Sequence, residues 1–162
     1  MQRINPKKHN LDFTFEDSLP LDHEGSELLS YAKTGDLQAI RNLGCAFIWG
    51  ENGFPKDESR ARIWYLIAAN HGHYEAMWDV ATMLLSGEGG PKDIEYGIQL
   101  LSRVSHRKRF TVYGISASEF LIDIYKGTAL KGIDRDENQM KYWEERLKAH
   151  KRYLRGWNRK CR

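Results

Sequence analysis

The sequence predicts an all-α protein, an α/α solenoid of antiparallel helix pairs with a C-terminal capping helix. Three observations carry this. A stretch of about 37 residues recurs with the same turn and the same flanks. Each copy divides into two segments with apolar residues at helical spacing. Aspartates and glycines stand where such helices would start and stop.

The recurrence is clearest at two loops. GENGFPKD runs from Gly50 to Asp57, and GEGGPKD from Gly87 to Asp93. Their upstream flanks, AIRNLGCAFIWG and AMWDVATMLLSG, align Ala39 with Ala76, Leu43 with Val80, Gly44 with Ala81 and Phe47 with Leu84. Past the loop, Asp57 aligns with Asp93, Ala61 with Gly97 and Trp64 with Leu100, the offset falling by one because the first loop is longer. A weaker third copy has SASEFLIDIYKG ending at Gly127 and DENQMKYW beginning at Asp136. Trp143 then follows Asp136 at the interval that separates Trp64 from Asp57. Ser26–Asp36 resembles the close of a preceding unit, with Ala32 and Gly35 in the places of Ala69 and Gly72. The expected organisation is an N-terminal extension over residues 1–25, a repeat region over 26–149 and a basic tail over 150–162. The units fall at about 36–71, 72–105 and 116–149.

Each unit reads as two helices. Asp36 is placed to cap a helix over Leu37–Trp49, which Gly50 ends; Ala39, Leu43 and Phe47 form its apolar stripe. Asp57 caps the second helix, where Ala61, Trp64, Tyr65 and Ala68 follow at helical spacing, and Gly72 supplies the left-handed residue that ends it. Asp93 and Asp136 repeat the cap, with Gln139 spaced for a capping box. Small residues at Ala39, Gly44, Ala61 and Ala68 allow close helix approach. Met140, Trp143, Leu147 and Leu154 extend the last helix to about Arg155.

The segment LGCAFIWGENGFPKDESRARIWYLIAANHGHYEA resembles the Sel-one-like repeat, a relative of the tetratricopeptide repeat. The matching elements are Leu43-Gly44, Phe47, Gly50, Gly53, Lys56-Asp57, Ala61, Trp64-Tyr65, Ala68-Ala69, Gly72-His73 and Ala76. The second unit keeps the loop, Ala76 and the cap but lacks Trp-Tyr; the third is anchored by Trp143. The resemblance covers about residues 26–149. It implies a helix-pair solenoid that works as a protein-interaction scaffold, often in bacteria, and it does not imply catalysis.

Composition agrees with a folded interaction module. Hydrophobic residues make up 41% of the 162, enough to exclude a disordered chain. The formal charge of +3 is unevenly placed: from Lys148 onward there are seven basic residues and no acidic one, which leaves −4 for residues 1–147. Two cysteines, Cys45 and Cys161, provide no disulfide framework, which points to a reducing compartment. The N-terminal stretch has no apolar run of signal-peptide length, and no window nears the roughly 20 apolar residues of a membrane span. The expected location is the cytoplasm.

Several features invite a chemical reading, and each has a plainer one. GEGGPKD lacks the GK[ST] of a phosphate loop, and Asp93 would repel phosphate, so it reads as a turn. His71 and His73 have no further ligand at metal-binding spacing. Glu144 and Glu145 are adjacent and point about 100° apart on a helix, so they form no acid/base pair. Cys45 lies inside a helix with no histidine at a catalytic spacing. The expectation is therefore a non-enzyme with no metal and no cofactor.

The residues with binding potential form a row on the first helices of the units. Arg41, Asn42 and Cys45 align with Trp78, Asp79 and Thr82, and then with Ser118, Glu119 and Ile122. Trp49 and Asp123 extend the row, and tryptophan is enriched at binding hot spots. The predicted partner-binding residues are Arg41, Asn42, Cys45, Trp49, Trp78, Asp79, Thr82, Glu119 and Asp123. A second candidate is a basic patch of Arg107, Lys108, Arg109, Lys151, Arg152 and Arg155, whose neighbouring aromatics would also suit nucleic acid. The favoured function is binding of another protein as inhibitor or adaptor, with an immunity protein that occludes a toxin as its concrete form. A nucleic-acid-binding accessory role through the basic loop and tail is the alternative.

Overall fold

The computed structural model describes residue 5 and residues 10–106, 112–130 and 133–160. Among these, eight helices occur and no strand: α1 (Thr14–Asp17), α2 (His23–Lys33), α3 (Leu37–Trp49), α4 (Glu58–Asn70), α5 (Tyr74–Ser86), α6 (Ile94–Ser105), α7 (Val112–Tyr125) and α8 (Glu137–Lys160). The fold is the helical repeat that the caps and periodicity predict. It divides into two compact units, one ending at Asp93 and one beginning at Ile94.

In the first unit, α2, α3, α4 and α5 pack in sequence. The helix starts follow the aspartates. Asp22, Asp36 and Asp57 each accept a hydrogen bond from the backbone N–H three residues on, at Gly25, Ala39 and Arg60. The ends follow the glycines, since Gly50 and Gly87 are both left-handed (φ 69° and 85°), a conformation that costs other residues a clash at Cβ. Leu37, Ile40, Leu43 and Phe47 of α3 and Trp64, Tyr65 and Ala68 of α4 are buried, and the two helices pack together. Gly44 sets the closeness of this approach, because a Cβ there would lie 2.5 Å from the Tyr65 ring.

One hydrogen bond recurs at the three turns that follow α3, α5 and α7. The N–H of Asp57 donates to Phe47 O at 2.8 Å, that of Asp93 to Leu84 O at 3.0 Å, and that of Asp136 to Tyr125 O at 2.9 Å. Each of these aspartates is thus tied to the end of the preceding helix, and at Asp57 and Asp136 the same residue also caps the next one. The second turn is also held from α4. Arg62, buried, donates to Pro91 O at 2.7 Å and to Glu88 O at 3.4 Å. GEGGPKD is therefore a packed turn whose carbonyls accept from an arginine.

The residues ahead of the repeats are part of the first unit's core. Phe13 stacks on Trp64 with ring centroids 5.0 Å apart, and Phe15 packs against Phe47. Glu16 is buried and accepts from Trp64 Nε1 at 3.1 Å and from Arg60 Nη1 at 3.3 Å. The Arg60 guanidinium also lies over the Phe15 ring, a cation–π contact.

In the second unit, α7 packs against both α6 and α8. The Ser105 carbonyl at the end of α6 accepts from Arg146 Nε (3.1 Å), Arg146 Nη2 (2.9 Å) and His150 Nε2 (3.0 Å). This satisfies a helix-end acceptor that has no partner within its own helix. The Ser105 hydroxyl meets Ser118 Oγ at 2.8 Å, and Ser118 Oγ donates to Gly114 O. His150 is fully buried, and a Cβ at Gly114 would come within 2.7 Å of its ring. Burial pushes the His150 pKa down, and Arg146 and His106 add to that, against the Ser105 hydrogen bond. α8 runs on to Lys160, beyond the Arg155 expected from its apolar stripe.

Candidate protein-binding site

α3 and α5 together present the first-unit part of the predicted row. Arg41 Nε donates to Asp79 Oδ2 at 2.7 Å, which fixes the two helices to each other. Both side chains are about one-fifth exposed. Burial raises the Asp79 pKa, with Arg41 pulling the other way. Burial also works against the Arg41 charge, but the Asp79 hydrogen bond and charge outweigh it, so the guanidinium stays protonated.

Around this pair the polar groups are mutually oriented. His73 caps α5, its Nδ1 accepting from Ala76 N–H at 3.3 Å, so Nε2 carries the proton and donates to Gln38 Oε1 at 3.2 Å. Gln38 Nε2 in turn donates to Asn42 Oδ1 at 3.0 Å. A histidine as helix cap was not legible in the sequence, where only serine, threonine, aspartate and asparagine advertise the role. Tyr65 OH donates to Cys45 Sγ at 3.3 Å; burial first, then this bond, pushes the tyrosine pKa up, so it remains a donor. Cys45 is half-buried, while His71 Nδ1 faces the Ile67 carbonyl at 2.8 Å. Among the described residues, no group of three metal-ligating side chains converges.

Trp49 stands apart from this network. It is 71% exposed at the end of α3, the most exposed of the large apolar side chains described. Trp78, Asn42 and Thr82 are half-buried, with Thr82 Oγ1 donating to Asp79 O. Trp49 is thus an exposed indole on the same helix whose Arg41 is fixed to Asp79 of α5.

The second-unit part of the row differs from the alignment. Ser118 and Ile122, aligned with Trp78 and Thr82, are buried in the core. Glu119 and Asp123 are exposed and already paired, Glu119 with Lys151 at 2.9 Å and Asp123 with Lys126 at 3.9 Å. The structure thus joins a residue of the predicted strip to one of the predicted basic patch. Lys151, Arg152 and Arg155 are exposed on α8, whereas Arg107, Lys108 and Arg109 lie outside the described residues.

Residues 37–73 and 75–103 fit the sequence model of the Sel1 repeat. These two segments match the Sel1 repeat. The crystal structure of a Sel1 repeat protein from Oxalobacter formigenes matches with a TM-score of 0.62 and 26% identity, over 76% of this chain and 47% of that one. A protective antigen of uropathogenic Escherichia coli that displays an SLR fold matches with a TM-score of 0.65 and 24% identity, over 78% of this chain and 26% of that one; this likeness is one of fold. The chain spans less than half the length of either. No curated protein matches it. Sel1 repeats generally mediate protein–protein interaction and are typically non-catalytic. Arg41, Cys45 and Trp49 belong to the first Sel1 repeat, and Trp78, Asp79 and Thr82 to the second, so the Arg41–Asp79 bond crosses from one to the other. No described helix is long and apolar enough to cross a membrane.

Proposed function

We propose that the chain binds another protein through the face shared by α3 and α5, and that this binding inhibits or adapts the partner. Trp49 carries the proposal. Burying a large side chain is ordinarily favourable by about 1.5–3 kcal/mol, yet this one is left in solvent at the end of α3. Arg41, about two turns earlier on the same helix, and Asp79 form a preorganised polar platform on the α3–α5 face, which lowers the ordering cost of association. An immunity protein that covers the active site of a toxin is the concrete form of this reading, because an inhibitor needs a binding face and no chemistry of its own.

The test is affinity capture from the native host with the full chain and with Trp49→Ala/Arg41→Ala. One specific protein retained by the parent and lost by the variant is the expected result. Recovery of no protein partner, or equal recovery by both, would overturn the α3–α5 face as the site. The immunity form fails if co-expression of the chain does not relieve the toxicity of the captured partner.

A further inference from the structure

The C-terminal helix carries a second surface with its own chemistry. Lys148, Lys151, Arg152 and Arg155 follow one another at helical spacing on one side of α8, and with Gly156 they line a cleft of about 490 Å³. Carboxylates already rest on two of the four: Glu145 meets Lys148 at 2.6 Å and Glu119 meets Lys151 at 2.9 Å. Arg152 and Arg155 are exposed and make no hydrogen bond or ion pair among the described residues. Gly156 is the odd member. Glycine weakens a helix interior, and no described residue lies within 4 Å of where its Cβ would be, so packing among the described residues does not account for it. Its bare backbone leaves the cleft open beside the two arginines.

We infer that this stripe docks an acidic segment of a protein, with Arg152 and Arg155 each taking a carboxylate in a two-pronged hydrogen bond. Guanidinium suits that geometry in a way that ammonium does not. The internal pairs on Lys148 and Lys151 show the same chemistry at work in the fold. They also favour peptide over nucleic acid. Glu119 and Glu145 at the rim would repel a backbone that bears a charge at every step, whereas a peptide can set neutral residues opposite them. The inference concerns the second unit alone and does not rest on the α3–α5 face.

Fluorescence anisotropy with the full chain at low ionic strength tests it. The probes are a labelled peptide of alternating Glu and Ser and a labelled single-stranded oligonucleotide of equal charge. The peptide should bind more tightly than the oligonucleotide. Arg152→Glu/Arg155→Glu should weaken the peptide by about tenfold or more, and Arg152→Lys/Arg155→Lys by less, while Trp49→Ala leaves it unchanged. Arg152→Gln/Arg155→Gln serves if the charge reversal lowers helix content by circular dichroism. Failure of the parent to bind the peptide, tighter binding of the oligonucleotide, or indifference of the peptide to both neutral and reversed variants would overturn the inference.

Discussion

Arg41 and Asp79 lie 38 residues apart in the sequence and meet at 2.7 Å, one on the first helix of each Sel1 repeat. Removing one partner leaves the other partly buried and unpaired. Arg41→Ala should lower stability by about 1–3 kcal/mol. Adding Asp79→Asn should restore part of the loss, because the amide is cheaper to leave without an ion partner. Thermal unfolding of the two single variants and the double variant measures the coupling. Additive losses would show that the bond holds nothing together.

Trp49 separates binding from stability. Its side chain is mostly in water, so Trp49→Ala should change unfolding by no more than about 0.5 kcal/mol. Partner affinity should fall at least about 30-fold, the scale of a central hot spot of about 2 kcal/mol. Titration calorimetry with the captured partner and a thermal melt give the two numbers independently. A large stability loss with unchanged affinity would identify Trp49 as a packing residue.

Two glycine-to-alanine changes should act in opposite directions. At Gly44 the new methyl would meet the Tyr65 ring at 2.5 Å, and overpacking of this kind costs about 1–3 kcal/mol. At Gly156 there is open space on a helix, and Gly156→Ala should gain up to about 1 kcal/mol. Chemical denaturation of both variants decides; equal signs would contradict the close α3–α4 approach.

His150 ties the stability of the second unit to pH. Its folded pKa is pushed below the ordinary 6.5 by burial, so the folded state binds the proton less readily than the unfolded chain. Its share of stability is full above pH 6.5 and is lost as pH falls through that value towards the folded pKa. Ser105 presents its carbonyl and hydroxyl to the ring, while Arg146 and His106 oppose a positive charge there. Melting temperature should therefore fall between pH 7 and pH 5 more steeply in the parent than in His150→Gln. Parallel profiles would remove His150 as the cause.

The repeat was legible because its punctuation is local. Asp36, Asp57 and Asp136 cap helices through bonds spanning two or three residues, and Gly50 and Gly87 end them in a left-handed conformation that is strained for residues with a Cβ. Those choices depend on a handful of adjacent residues, which sequence displays directly. The arrangement of the candidate row was legible only in part. Alignment placed Ser118 and Ile122 with Trp78 and Thr82, but α7 is apolar most of the way round, so its pattern does not single out the exposed face.

The sequence by itself determined both ends of α3, the start of α4, the repeat turns and the kind of repeat, since each follows from short-range sterics and capping; it did not display the His73 cap of α5 or the end of α8. Tertiary structure alone decided which side chains meet. Arg41 finds Asp79, Arg62 enters the second turn, Glu16 receives Trp64, and His150 reaches Ser105, across separations of 26 to 48 residues. Such contacts depend on how close two helices come and at what rotation, and that is set by the summed packing of many small residues such as Gly44 and Gly114. No single position in the chain announces it.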